Sequence, residues 1–432
     1  MSVLYGIAAA TVTATASFLL TAVLAALLRA PALRLAVVDR RRRRPVPLLG
    51  GVAVVLVTAV VAWAGDRAGV VPLGPAAGRL LAAATVVGAL GLAADVWRLR
   101  RRWLLAGTAV AAACVVPYGE TGPVAGALAV GWVALVTGAF RGLDHADGVA
   151  GTVGVVTAFG VGACAAVELM DGPAVLLLVL AAALAGFLLH NWHPARIALG
   201  ACGSLFTGFL LTGAAVLARS GYGPVGGAGV LCALTAVPVA DAVLVLLSRR
   251  LAGRPLSRGG PDHLAHRLRR LGLTAQGAVV VLGGAALCAV VVGVLAHTGR
   301  VGGQAALWVA GGAAAGVLGL LRVRVYGPAR LRRGAGVRAP VRRAGGRGAA
   351  AADRDAEAAD RDAEGADRSV PGASRGNRSR GRCVLPGGDF SGSSGHEYRE
   401  RAGRGAVACK ERIRVESARL TSVDPSPGVM HT

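Results

Sequence analysis

The chain alternates between long apolar runs and short polar connections. A window of about 20 residues, the length that crosses the hydrocarbon core of a bilayer, finds about eleven such runs. They predict an all-α fold, a polytopic membrane helical bundle of about 11 transmembrane helices. The runs fall near 3–28, 49–71, 78–95, 103–118, 123–140, 149–168, 173–190, 203–219, 227–247, 277–297 and 303–321.

The apolar pattern stops near residue 330, and this divides the chain into two predicted parts. Residues 1–330 form the membrane domain, and its first run lacks the small-residue cleavage pattern of a removable signal peptide. Residues 331–432 are rich in Arg, Gly, Ala, Asp and Ser and contain a short repeat at 352–365. This composition cannot bury a core, so residues 331–432 are predicted to be a disordered Arg/Gly/Ala-rich tail.

Composition supports the membrane assignment. Hydrophobic residues make up 54% of the chain and charged residues 16%, which is too apolar for a soluble protein of 432 residues. Five of the seven cysteines lie in or beside apolar runs, without the spacing of metal ligands. We therefore infer neither a disulfide framework nor a cysteine-based zinc site.

The net charge of +24 comes almost entirely from arginine, since Lys410 is the single lysine. The arginines concentrate in alternate connections, beginning with the run at 40–44 and continuing at 98–102, 141, 196 and 249–270. The positive-inside rule places these connections and the tail in the cytoplasm, and the N-terminus outside the cell membrane. Arginines that ring a membrane surface meet anionic headgroups, so nucleic acid is not expected as a partner of the core.

The same connections hold most of the other ionisable side chains, whereas the apolar runs carry almost no charge at mid-depth. Transporters commonly place carboxylates there, so a transporter is the weakest functional class for this chain. Arginines can bind phosphate oxygens, and carboxylates can hold a bridging divalent cation. The candidates are Asp39, Asp95, Asp144, Asp147, Asp241, Asp262, His145, His190, His193, His263 and His266.

Five connections contain distinctive segments in a fixed order. They read "DRRRRRPVPLLGGVAV" (39–54), "GLAADVWRLRRRWLL" (91–105), "GAFRGLDHADGVAG" (138–151), "GFLLHNWHPARIALGACGSLFTGF" (186–209) and "RRLAGRPLSRGGPDHLAHRLRRLGLT" (249–274). Together they resemble the motifs of the polyprenyl-phosphate N-acetylhexosamine-1-phosphate transferases. This membrane family includes the phospho-MurNAc-pentapeptide translocase and the undecaprenyl-phosphate GlcNAc-1-phosphate transferases, and the resemblance runs from about residue 35 to 275.

The resemblance implies a reaction and a set of site residues. A UDP-linked amino sugar would give its sugar-1-phosphate to a polyprenyl phosphate, for cell-wall or surface-polysaccharide synthesis, with Mg²⁺ as cofactor. Residues 1–330 would be the transferase-like domain. The implied catalytic residues are Asp95, Asp144 and Asp147, and the implied metal ligands are Asp144 and Asp147. The implied substrate-binding residues are Arg141, Asn191, Arg196, Ser204, His263, His266 and Arg267.

The chain also departs from the family pattern at the positions that matter most for chemistry. Ala94 replaces the first of two paired aspartates, and Ala201 replaces the aspartate that binds magnesium. Gly138 and Arg141 stand where the family has asparagines, and His145 stands for a glycine. Loss of a metal ligand and a paired carboxylate predicts several kcal/mol less transition-state stabilisation if nothing replaces them. We therefore keep a catalytically inactive relative, which binds polyprenyl phosphate or nucleotide sugar as a scaffold or regulator, as the alternative function.

Several individual residues have structural alternatives. Asp144 and Asp147 could cap the helix that begins near residue 149. Asp95 could pair only with Arg98, and Asp241 could be the buried partner of Arg249, two helical turns away. The sugar, the prenyl length and the choice between a monomer and a homodimer stay open.

Overall fold

The computed structural model of the chain describes residues 3–39, 45–70, 72–97, 99–255, 260, 262–323 and 325. This part is almost wholly helical, which confirms the predicted all-α class. Two short antiparallel strands, β1 (Val38–Asp39) and β2 (Val46–Pro47), lie in the first polar connection. The helices are α1 (Val3–Arg34), α2 (Gly50–Arg67), α3 (Gly74–Trp97), α4 (Arg101–Ala113), α5 (Tyr118–Leu143), α6 (Val149–Val167), α7 (Asp171–Asn191), α8 (Gly200–Ala218), α9 (Pro224–Leu234), α10 (Ala236–Leu251), α11 (Leu264–Arg270), α12 (Ala275–His297) and α13 (Gln304–Leu321).

The chain is a multi-pass membrane protein. Within the described residues, nine helices are long and apolar enough to cross a bilayer: α1, α2, α3, α5, α6, α7, α8, α12 and α13. Large apolar side chains cover the outer faces of the peripheral helices, and Trp308 of α13 is 82% exposed. Such an apolar surface is stable in hydrocarbon, because the backbone polar groups within a helix are hydrogen-bonded to each other.

Two of the predicted apolar runs do not form one long helix each. The run near 103–118 forms α4, whose 13 residues extend about 20 Å at 1.5 Å per residue, less than the hydrocarbon thickness. The run near 227–247 forms two helices, α9 and α10, bent by 82°. Pro238 accounts for the break, since its ring would clash with the carbonyl group of residue 234 in a continuous helix. Counting the bent pair as one span gives ten spans in the described residues.

Helix α8 is the centre of the bundle. Every residue from Gly200 to Ala218 is buried, and α2, α3, α5 and α6 all pack against it. Small residues allow two of these helices to approach α8 very closely. A Cβ atom on Gly51 of α2 would lie 2.2 Å from the backbone nitrogen of Gly203, and one on Gly91 of α3 would lie 2.4 Å from the carbonyl oxygen of Ala201. Small interface residues of this kind let membrane helices pack backbone against backbone.

The polar connections that carry the predicted site meet at one end of this bundle. The first and seventh connections pair through their backbones: Ala198 donates to the carbonyl oxygen of Pro47 (2.8 Å), and Gly50 donates to that of Ala198 (3.1 Å). The arginine run at 40–44, Arg98 and the predicted tail at 331–432 lie outside the described residues. The predicted tail and the arginine run therefore stay predictions.

The contact between α3 and α8 gives a test of the packing. Gly91→Ala introduces a methyl group against backbone atoms of Ala201 that cannot rotate away, so we expect a loss of about 1–3 kcal/mol in the free energy of unfolding. Thermal unfolding of the purified protein in detergent measures it as a Tm lowered by several degrees. Gly78→Ala is the matched control, because it lies in the same helix with nothing within 4 Å of the new atom. Equal Tm values for the two variants would contradict the close approach.

Candidate active site

Two of the predicted aspartates meet at the N-terminus of α8. Asp95, near the end of α3, accepts hydrogen bonds through Oδ2 from the backbone amides of Ala201 (2.7 Å) and Cys202 (3.2 Å). Asp144, the residue after α5, accepts through Oδ2 from the amide of Gly200 (2.8 Å). The first amides of a helix have no partner within the helix, and their partial positive charge favours an anion. The two carboxylates therefore bind consecutive amides at one electropositive point.

Gly200 makes this arrangement possible. Its φ of +69° is a left-handed conformation that favours glycine, and an added Cβ atom would lie 2.7 Å from Asp95 Oδ2 and 2.6 Å from the carbonyl oxygen of Leu48. The connections that carry Leu48, Asp95, Asp144 and Gly200 thus approach each other at this residue. The sequence predicted that these connections lie on one side, and the contacts of Gly200 bring them together.

Asp147 has a different set of partners. Its Oδ2 lies 2.9 Å from His193 Nδ1 and accepts a hydrogen bond from the amide of Ala195 (3.1 Å). The N-cap residue of α6 is Gly148, which has no side chain to cap the helix. The alternative that Asp144 and Asp147 cap the helix near residue 149 stays a prediction. Asp144 caps α8, and Asp147 holds the connection between α7 and α8.

Arg141 lies in the last turn of α5, and its charge acts on Asp95, as does the charge of Asp39. Arg141 therefore provides a fixed positive charge close to Asp95. The family resemblance predicts an asparagine at this position, so this charge is a property of the present chain.

A cluster of imidazoles lies beside these carboxylates. The rings of His145 and His263 are stacked, with centroids 3.9 Å apart, and the ring of His266 lies 4.8 Å from that of His145. His263 Nδ1 donates to Asp241 Oδ2 (2.7 Å), and Asp241 Oδ1 accepts from the amide of Leu264 (2.8 Å). His145 donates through Nδ1 to the carbonyl oxygen of Gly142.

The ionisation of His266 follows from its surroundings. Burial, reinforced by the nearby charges of His263, Arg269 and Arg270, lowers the pKa of His266 to about 4. The ring is therefore neutral at pH 7. It can donate one hydrogen bond to a phosphate, but it does not contribute a positive charge.

The buried ion pairs differ from the predicted ones. Asp241 is 1% exposed and pairs with His263, so the predicted pairing of Asp241 with Arg249 is wrong. Arg249 pairs instead with Asp262, with 2.6 Å between Nε and Oδ2. Asp262 lies 13 residues after Arg249, in the connection between α10 and α11. Helical spacing alone could not have predicted this pair.

Three predicted substrate-binding residues have contacts that fix the framework. Asn191 is buried, accepts from the amide of Gly148 (2.9 Å) and donates to the carbonyl oxygen of Ile197 (2.8 Å). Ser204 is fully buried and donates to the carbonyl oxygen of Gly200 (2.6 Å). Arg267 is 2% exposed and donates to Ser248 Oγ and to carbonyl oxygens at the end of α13. These contacts position the connections, whereas Arg196 is exposed beside them. A substrate contact of any of the four stays a prediction.

Two residues of this region are not among the site residues that the resemblance implies: Asp241, which was only one of the ionisable candidates, and Gly142. Asp241 carries the signal of a lone carboxylate in an otherwise apolar segment, which marks functional or paired residues in membrane helices. Gly142 carries no such signal. Its role is spatial, because an added Cβ atom would lie 3.3 Å from Asp241 Oδ2 and 3.6 Å from His263 Cε1.

The donors present can be compared with what magnesium requires. Mg²⁺ prefers oxygen ligands and is commonly held by one or two carboxylates together with substrate phosphates and water. Asp95 and Asp144, on neighbouring amides, supply such oxygens, while buried Ala201 supplies none. The donor set therefore fits a magnesium ion held largely by substrate. Asp144 and Asp147 have separate partners, so the geometry favours Asp95 over Asp147 as the neighbour of Asp144.

The capping role of Asp95 gives a prediction about stability. Asp95→Ala leaves the amides of Ala201 and Cys202 without this acceptor, and we expect it to cost about 2–3 kcal/mol of unfolding free energy. Asp95→Asn keeps an acceptor oxygen and loses only the charge, so about 1 kcal/mol is expected. Thermal unfolding of both variants in detergent gives the comparison. Indistinguishable Tm values for alanine and asparagine would rule out the capping role.

Comparison with known proteins agrees with this site. The family model "Glycosyl transferase family 4" matches residues 78–219, which include α3, α8 and the carboxylates between them. A Streptomyces coelicolor protein named "Putative glycosyltransferase" is 99% identical over 351 residues, which are 81% of this chain and 85% of that protein.

More distant relatives carry more specific names. The probable undecaprenyl-phosphate N-acetylglucosaminyl 1-phosphate transferase of Bacillus subtilis is 31% identical over 166 residues, 38% of this chain and 46% of that protein. The decaprenyl-phosphate N-acetylglucosaminephosphotransferase of Mycolicibacterium smegmatis is 29% identical over 282 residues, 55% of this chain and 69% of that protein. The motifs, the meeting of their connections at α8 and these similarities agree, and the chain belongs to the polyprenyl-phosphate N-acetylhexosamine-1-phosphate transferase family, within glycosyl transferase family 4.

Proposed function

We propose that the protein transfers an amino-sugar-1-phosphate from a UDP-sugar to a polyprenyl phosphate. The observation that carries this proposal is that Asp95 and Asp144 both bind the N-terminus of α8, where the charge of Arg141 acts on Asp95. Two anionic reactants repel each other, and a site that brings them together needs positive potential together with a group that can take a proton. The α8 amides and Arg141 supply the potential, and the carboxylates supply the acceptor.

The proposed chemistry uses this arrangement in one displacement. A phosphate oxygen of the lipid attacks the phosphorus atom that bears the sugar, the phosphoanhydride bond to the uridine side breaks, and UMP leaves with that electron pair. Asp95 or Asp144 accepts the proton of the lipid phosphate when it is protonated, or orients the phosphate oxygen. The product is a polyprenyl pyrophosphoryl sugar.

Magnesium completes this proposal as the expected cofactor. Asp144 and Asp95 would hold it, and when bound it would neutralise charge on the pyrophosphate. Arg141 lies close enough to act on Asp95, and it supplies a permanent positive charge that does not depend on the ion. A chain that lacks the aspartate at position 201 is thus expected to need magnesium less strictly than the pattern of its family implies.

The orientation belongs to the same proposal. The arginine-rich connections would face the cytoplasm of a bacterial cell membrane, where UDP-sugars are made, and the prenyl tail would stay between helices in the bilayer. The names of the relatives favour N-acetylglucosamine as the first sugar to test.

A transfer assay tests the proposal. Purified full-length protein should move radiolabel from UDP-N-acetylglucosamine to undecaprenyl or decaprenyl phosphate, and Asp144→Asn and Arg141→Gln should each lower kcat/KM about 100-fold or more, because each removes a charge that acts on the reacting phosphates. Arg79→Gln, on the same helix as Asp95 but about four turns away, is the control and should retain activity. Equal activity in Asp144→Asn and the unsubstituted protein would refute the assigned site, and no transfer with several UDP-sugars would refute the activity.

The second candidate function is binding without transfer. It is favoured by two buried alanines, Ala94 and Ala201, which stand where the family resemblance predicts aspartates. No carboxylate among the described residues replaces the missing one at position 201. A protein of this kind would hold polyprenyl phosphate or nucleotide sugar at the α8 N-terminus and act as a scaffold or regulator.

Restoring the aspartates separates the two functions. In Ala201→Asp the new carboxylate lies beside Asp95, whose Oδ2 is 2.7 Å from the amide of residue 201, so like charges should lower the Tm without magnesium. Millimolar Mg²⁺ should raise the Tm of this variant by several degrees more than that of the unsubstituted protein. Transfer seen only in Ala94→Asp combined with Ala201→Asp would establish the natural chain as inactive, whereas transfer by the unsubstituted protein would exclude this alternative.

A further inference from the structure

The histidine cluster raises a question that the proposed transfer does not answer. His145 stands where the family resemblance predicts a glycine. Its ring stacks on that of His263 and also lies 4.8 Å from the ring of His266. Three ligand atoms, one each from His145, Asp241 and His263, all lie within 4.8 Å of one another. Among the described residues, this is the group of His, Cys, Asp or Glu side chains that is compact enough to share an ion.

We propose that His145, Asp241 and His263 form a binding site for a divalent transition metal of the zinc class. Two imidazoles and one carboxylate are a ligand set that zinc commonly takes, and imidazole nitrogen is a poor ligand for magnesium. Three atoms no more than 4.8 Å apart lie within about 2.8 Å of a common point, so shifts below about 1 Å would bring them to zinc-ligand distances near 2.1 Å.

The surroundings of His145 already resemble those of a metal ligand. A ligating histidine usually donates its other ring N–H to a carboxylate or a backbone carbonyl, which orients the ring and raises its basicity. His145 makes such a contact, since it donates to the carbonyl oxygen of Gly142. The hydrogen bond from His263 to Asp241 joins two members of the proposed ligand set and keeps them close together. Gly142 in turn packs against Asp241 and His263. This packing holds the end of α5, just before His145, close to His263.

A buried carboxylate is present at this point. Asp241 is 1% exposed and accepts hydrogen bonds from His263 Nδ1 and from the amide of Leu264. One of the proposed ligands, His145, directly follows Asp144 in the chain, and Asp144 accepts from the amide of Gly200.

The proposal does not depend on transferase activity, because metal binding is measured directly. Tag-free full-length protein in detergent, with its thiols blocked by N-ethylmaleimide and its metals removed by chelator, is titrated with Co²⁺ and followed by visible d–d absorption. We expect about one equivalent per chain, with the strong absorption of a low-coordinate site and displacement by Zn²⁺. His145→Phe keeps an aromatic ring stacked on His263 but removes the nitrogen, and should weaken Co²⁺ binding at least about tenfold.

His193→Phe is the matched control, because His193 pairs with Asp147 outside the cluster and should leave Co²⁺ binding unchanged. A second measurement needs no variant. Zn²⁺ should protect His145 and His263, but not His193, from diethylpyrocarbonate, as mapped by mass spectrometry of the natural protein. Absence of Co²⁺ binding, equal binding by His145→Phe, or equal modification of His145 with and without Zn²⁺ would each overturn the proposal.

Discussion

The site depends on one electrostatic requirement, the need of a buried helix for acceptors at its N-terminus. Helix α8 is enclosed by protein along its whole length, so its first amides cannot reach bulk solvent and must find partners within the fold. Asp95 and Asp144 provide them from two different helices. The same contacts that satisfy the helix bring α3, α5 and the connection before α8 to one point. Structural need and the proposed chemistry thus use the same two carboxylates.

Much of the architecture could be predicted from the sequence because a bilayer leaves few choices. Long apolar runs must be helices, and their number, type and order followed directly. Two details differed: Pro238 divides one run into two helices, and α4 has only 13 residues. Short as it is, α4 returns the chain through the bundle, because α3 and α5 both end at the N-terminus of α8. The meeting of the motif-bearing connections was also foreseeable, since their arginine content placed them all on one side.

The partners of individual side chains could not be predicted in the same way. Asp241 and Arg249 lie two turns apart on α10, but they do not pair with each other. Asp241 pairs with His263 and Arg249 pairs with Asp262, both in the connection between α10 and α11. Asp144 precedes α6 in the chain but caps α8. In each case the true partner is distant in sequence and is brought near by the return of a connection. Periodicity reports only neighbours along one helix, so it could not distinguish these pairs from the local ones.

The complete enclosure of α8 also bears on how the protein is assembled during synthesis. A helix with no lipid-facing side has no stable position in the bilayer until its protein neighbours are there to receive it. Helices α2, α3, α5 and α6, which surround α8, all precede it in the chain. The ribosome therefore synthesises these four helices before it synthesises α8. Biogenesis of this protein can proceed in order from the N-terminus, and Asp95 and Asp144 acquire their amide partners only when α8 is in place.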